Sequence, residues 1–194
     1  MSAGGRRSDD ALAAYEAELD SPTRVVRFAR GEQDCAVAVY LPTEAERQDP
    51  ELNLSMLGTA GFGDLEICQA ISCELGLEIT GAPAEADTDA LAEALVELAS
   101  APLRTGRLFT VWQILTGVAL PGFPRFSTAM LVPWHGVDTF DFAAPWDGVS
   151  LIRVHPLFPA EVERVESAAD PEDGYLELVG LGLEPADPDR EPVV

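Results

Sequence analysis

Between Asp89 and Ser100 the apolar residues Leu91, Leu95 and Leu98 recur at i, i+4 and i+7, while Asp89, Glu93 and Glu97 recur at i+4 steps on another face. This double periodicity predicts an amphipathic helix. Like charges at that spacing cost a few tenths of a kcal/mol per pair. A basic partner would relieve that cost, and a simply solvated face would tolerate it. A second helix is predicted at "ALAAYEAELD" (11–20), stopped by Ser21-Pro22, and it sets an N-terminal helical segment, 1–23, apart from a domain spanning 24–194.

Shorter β-like runs fill much of the remainder. "RVVRFAR" (24–30) and "CAVAVYLP" (35–42), joined by "GEQD", read as a hairpin. "LNLSMLGTAGFGD" (52–64) reads as a strand entering a glycine-rich loop, and "EICQAISCELGLEIT" (66–80) as mainly strand. Further strands are expected in "RLFTVWQIL" (107–115), "RFSTAMLVPW" (125–134) and "GVSLIRVHPLF" (148–158). Pro159 then suits the first turn of a helix, with Glu161 and Glu163 near its positive end and Val162 and Val165 as apolar contacts. "DPEDG" reads as a turn and "YLELVGLGLEP" as a short apolar element. Strands separated by turns, with helices grouped between and after them, predict an α+β fold: a mixed, largely antiparallel sheet core with flanking helices in a single domain.

A chain of 194 residues with 47% apolar content fits one such domain. Charge adds more. Thirty-four acids against 12 bases give −22, and every base is arginine, as expected of a GC-rich genome. A field of that sign repels nucleic acid and anionic lipid and speeds encounter with a basic protein partner. Neither an 18-residue apolar run nor a signal-like apolar core follows the N-terminal arginines, so a soluble, cytoplasmic protein is expected. Cys35, Cys68 and Cys73 are odd in number and lack the CxxC spacing, and are expected as buried reduced thiols.

Candidate chemistry is sparse. No G-x-S-x-G elbow accompanies the two histidines, His135 and His155, and "GTAGFGD" matches neither phosphate-binding glycine pattern. "HGVDTFD" spaces His135, Asp138 and Asp141 by threes, which on a loop imposes no metal geometry; no metal or cofactor is expected. The loop "PWHGVDTFDFAAPWDG" interleaves Trp134, Phe140, Phe142 and Trp146 with Asp138, Asp141 and Asp147, a mixture suited to a binding hot spot against a basic surface, or to tryptophans packed over a sheet edge.

Order and position across several segments carry a resemblance. "APLRTGRLFTVWQ", "RFSTAMLVP", "VSLIRVHPLFPAEVERV" and the tail "DPDREPVV" resemble, in this order, the suppressor of fused domain family over about residues 25–194. The matching positions are Pro102, Thr105, Gly106 and Phe109; Pro133; Pro156, Leu157, Pro159 and Glu161; and Asp189, Arg190 and Pro192. Two departures stand out: Gln113 occupies the place where the family often has a histidine, and Glu191 is inserted before Pro192.

The resemblance implies that the strand and Pro-Leu segment is a scaffold, with Glu161 bracing the next helix and His155 a structural residue at a strand end. It further implies a non-catalytic protein-binding domain. In animals the domain is part of a larger inhibitor of transcription factors, and bacterial stand-alone versions are associated with toxin immunity. The first expectation is therefore capture of a basic toxin domain, using the loop residues Trp134, His135, Asp138, Phe140, Asp141 and Trp146 or the helix acids Asp89, Glu93 and Glu97. The alternatives are a regulatory or scaffold module with another protein partner, and a hydrolase using dispersed carboxylates.

Overall fold

The computed structural model describes residues 4–30, 33–134, 142 and 148–194. One seven-stranded sheet organises them, in the order β1-β2-β3-β4-β7-β6-β5. The strands are β1 (Arg24–Arg30), β2 (Gln33–Tyr40), β3 (Leu54–Ala60), β4 (Ser72–Thr80), β5 (Ile114–Thr116), β6 (Thr128–Pro133) and β7 (Val149–Leu157). All neighbouring pairs are antiparallel except β4 and β7, which run parallel with Gly76 opposite Arg153. The expected mixed, largely antiparallel α+β architecture is what the chain forms.

Period-two alternation sorts side chains to the two faces of the sheet. On one face Val37, Val39, Leu57, Leu75, Leu77, Ile152 and Val154 pack with Leu91, Leu95 and Val96 of α2 (Glu85–Ala99) and with Phe109, Leu120 and Phe123 from the segment beyond α3 (Ala101–Thr105). On the other face α1 (Gly4–Leu19) lays Ala11, Ala14 and Tyr15 on Ala36, Ala38 and Ala60, small residues that let a helix approach closely. Gly58 is required there, because a Cβ would stand 2.6 Å from Tyr15 Cζ. Further along this face α4 (Pro159–Ser167) and α5 (Pro171–Gly180) bury Val165, Tyr175 and Leu178 against Met130, Val132 and Leu157.

Four local expectations are corrected. Residues 66–71 are not strand: Cys68 makes one parallel bridge to Phe109, and Cys68 and Cys73, with Cα atoms 6.5 Å apart, form a disulfide, so only Cys35 remains a buried thiol. The apolar run 107–115 is mostly irregular, because Trp112 takes a left-handed backbone (φ 64°) just before the three-residue β5. "DPEDG" is a helix start rather than a turn: Asp170 accepts from the Glu172 N–H at 2.8 Å and Pro171 fills the first turn, so the apolar element after it is α5.

Candidate functional site

The sheet carries three polar arrangements, two of them on β7. The first lies where β7 ends. Leu157 is fully buried, Phe158 caps α4, and Pro159 occupies the first turn of that helix. The Glu161 carboxylate reaches back to accept the Phe158 N–H at 2.8 Å. It also receives both guanidinium arms of Arg190, at 2.5 and 2.7 Å, and the Val193 N–H at 3.1 Å. Arg190 donates further to the Pro156 carbonyl at 3.0 Å and lies 5.0 Å from the ring centroids of both Phe126 and Phe158. Arg125 holds the neighbouring tail through the Asp189 and Arg190 carbonyls and the Glu191 carboxylate. Glu161 is wholly buried and Arg190 nearly so. A buried pair whose carboxylate and guanidinium arms are met from within the chain is a clasp for the C-terminal tail.

The second arrangement is on the helical face of the same strand. Arg153 and His155, two residues apart, point the same way. His155 is buried, with Nδ1 2.6 Å from Tyr175 Oη. Burial, helped by the charges of Arg153 and Arg190, holds the imidazole well below its ordinary pKa, so the ring is neutral; burial pushes Tyr175 up to about 12. The Arg153 guanidinium lies 4.8 Å from the Trp134 ring centroid and 3.8 Å from Glu78, whose carboxyl burial pushes up against the pull of Arg153. These groups floor a cleft of about 710 Å3 between the sheet, α5 and the loop around Glu51.

A third polar group is closed off. Glu74, on β4, is fully buried and accepts the Gly61, Phe62 and Gly63 N–H groups at 2.8 Å each and the Thr59 hydroxyl at 2.7 Å. Burial nevertheless pushes its pKa up to about 7 against those hydrogen bonds. The glycine-rich loop after β3 thus wraps a carboxylate of its own chain.

On the opposite face of the sheet a larger cleft, about 1400 Å3, runs between α2 and residues 113–127. Ala94, Leu98, Val118, Leu120 and Phe123 give it an apolar lining, and Glu93 and Glu97 stand along α2 at its edge. Helix α2 does not present its three acids alike. Asp89 is paired with Arg24 of β1, which also meets Glu85 at 3.3 Å, and Glu97 pairs with Arg104 of α3 at 3.1 Å. Gln113 also lines this cleft, its side-chain oxygen accepting the Thr110 N–H at 2.9 Å.

Of the loop proposed as a contact surface, His135, Asp138, Phe140, Asp141 and Trp146 lie outside the described residues. Trp134 is half-buried beneath Arg153, and Phe142 is buried edge-on to Tyr15, with centroids 4.8 Å apart. The family-motif positions have scaffold environments. Pro102 opens α3, and Gly106 ends it in the left-handed region (φ 68°) just after Thr105. Phe109, Pro133 and Pro156 are buried, while Asp189 and Pro192 flank Arg190 at the surface. Among the described residues no group of three His, Cys, Asp or Glu is placed to hold a metal ion, and no helix is long and apolar enough to cross a membrane.

Sequence reasoning missed the convergence of Glu78, Arg153, His155 and Tyr175. The signal was partly present: Arg153 and His155 alternate as polar positions within an apolar strand, which places both on one face. The parallel register that brings Glu78 alongside them could not be read from the sequence.

Neither a protein-family model nor a curated protein matches the chain. Solved structures do. A putative suppressor of fused homologue from Neisseria gonorrhoeae superposes with a TM-score of 0.68 at 14% identity, covering 98% of both chains. The chain has the suppressor of fused fold. The same fold aligns with a chain of the Sufu–Fu complex, with a TM-score of 0.61 at 13% identity over 98% of this chain and 92% of that one. Drosophila Suppressor of Fused aligns with a TM-score of 0.58 at 12% identity, and this chain covers 51% of it.

Proposed function

We propose that this chain is a protein-binding module that captures a basic protein partner stoichiometrically, in the manner of an immunity protein neutralising a basic toxin domain. The observation that carries the reading is the cleft beside α2, where an apolar lining large enough for several side chains is edged by Glu93 and Glu97 on a chain of net charge −22. Apolar contact supplies binding free energy there, and the charge steers encounter and selects against acidic partners. A fold shared with a chain of the Sufu–Fu complex supports a binding role. It also favours a second version, a regulatory module for a different protein partner. The two versions use the same surface and differ in what capture does to the partner.

The test begins with affinity capture from the native host, followed by reconstitution with the purified partner. Wild type and a Glu93→Arg/Glu97→Arg variant are compared by stopped-flow association and calorimetry at low and physiological salt. The reading expects a one-to-one complex whose association slows with salt and with charge reversal. A partner that binds both proteins equally would overturn the assignment of this surface. Loss of the partner's toxicity in the complex separates immunity from regulation.

A further inference from the structure

We infer that the cleft between β4, β7 and α5 binds a basic side chain, arginine or lysine, carried on a segment of another protein. Two separate features of the cleft carry this. The first is a polar atom in its wall. His155 is 4% exposed and lines the cleft, Nδ1 is engaged by Tyr175, and Nε2 has no hydrogen-bond partner among the described residues. In the proposed site the ring proton sits on Nδ1 and is donated to Tyr175 Oη, which leaves the Nε2 lone pair to accept a hydrogen bond from the guest. The ring stays neutral because of its burial, so the acceptor persists at physiological pH. A buried acceptor without a donor is costly, and a guest N–H placed there recovers that cost.

The second feature is charge. Glu51, Glu78, Glu172, Glu184 and Asp187 line this cleft, and among the described lining residues Arg153 is the one arginine or lysine. Arg153 is already engaged by Glu78 on one side and the Trp134 ring on the other. A second cation therefore meets an excess of carboxylates. The rim is also suited to the stem of such a side chain: Leu176 and Val179 on α5 are 54% and 45% exposed and flank the entrance. Long basic side chains bury their methylenes along apolar surface while their charged heads seek polar partners, which matches apolar walls above a floor of acceptors. An anionic guest finds five carboxylates, and a purely apolar one leaves Nε2 unmatched.

This inference rests on the reading of a basic protein partner only for the source of the side chain; the cleft is separate from the one beside α2. The probe is therefore a short peptide, N-acetyl-Ala-Arg-Ala-amide, titrated into the isotope-labelled full chain at low salt and followed by NMR. Its citrulline counterpart and free agmatine are titrated in parallel. The expected result is a saturable shift confined to the His155 ring and the amides of Tyr175, Leu176 and Leu183, with the ring nitrogen shifts showing Nε2 unprotonated. Citrulline should bind at least about tenfold more weakly, since it keeps the shape and loses the charge. Exposed Glu51→Gln with Glu184→Gln should weaken the arginine peptide by about tenfold, while Glu93→Gln leaves it unchanged. No saturable shift at these residues, equal binding of citrulline, or a protonated Nε2 would overturn the proposal. Agmatine binding as tightly as the peptide would overturn the protein source in favour of a small free cation. Failure of the α2 charge reversal to affect partner capture would leave this result standing, so the two readings fail separately.

Discussion

Arg190 and Glu161, 29 residues apart, meet through two hydrogen bonds in a site where neither side chain reaches water appreciably. Removing one partner leaves the other charged and desolvated, which costs more than an exposed ion pair is worth. Arg190→Met should lower stability by about 3 to 5 kcal/mol, read as a fall in urea midpoint. The double variant Glu161→Gln/Arg190→Met should recover part of that loss, because no charge is then stranded. A double variant no better than the single would place the stabilisation in the stacking of Arg190 on Phe126 and Phe158 instead.

Leu157 closes β7 beneath α4 and α5 and is fully buried. Leu157→Ala removes three carbons from a packed interior and should cost about 2 to 5 kcal/mol by the same measurement. A midpoint unchanged within error would be incompatible with the packing described.

Glu74 gives stability a pH dependence with a definite sign. Its folded-state pKa of about 7 lies above the ordinary 4.5, so the folded chain holds this proton more tightly than the unfolded chain. The group's contribution is fully present below pH 4.5 and is lost as pH rises through about 7. Between those limits the wild type should lose up to about 3 kcal/mol relative to Glu74→Gln, which cannot ionise. The check is the difference between the two proteins in urea titrations at pH 4.5 and pH 8, since His155 shifts in the opposite sense in both. No difference across that window would mean that Glu74 stays ionised throughout.

The Cys68–Cys73 disulfide closes a short loop, with a sequence separation of 5. A loop that small restricts the unfolded chain modestly, and its reduction should cost about 2 kcal/mol. Urea unfolding with and without dithiothreitol checks this, with Cys68→Ser/Cys73→Ser as the control that should no longer respond.

Where local chemistry decided the outcome, the sequence was legible. The hairpin β1–β2, helix α2 and the Pro159 start of α4 follow from period, turn residues and a favoured first-turn proline. Helix α5 was hidden because Asp170-Pro171 serves a turn and a helix start equally well, and only the side-chain bond from Asp170 to the Glu172 N–H distinguishes them. The run 107–115 misled because its aromatic residues pack separately, Phe109 buried in the core beside α2 and Trp112 half-buried against Tyr175, without forming a ladder. For the candidate sites, spacing placed Asp89, Glu93 and Glu97 on one helix but could not show that Arg24 and Arg104, from other elements, already engage two of them. Glu161 and Arg190 were singled out through the family resemblance, and their contact comes from tertiary structure alone.

β7 is the one strand that joins two antiparallel units, β1–β4 on its parallel side and β5–β6 on the other. Each unit can assemble from neighbours in the chain, whereas Ser72 and Val149 pair across a long intervening stretch of chain. Closing that loop is an entropic step that precedes its reward. The sheet is therefore kinetically a two-piece object with a single late seam, and the clefts, both floored or walled by residues on either side of that seam, come into being only when it shuts.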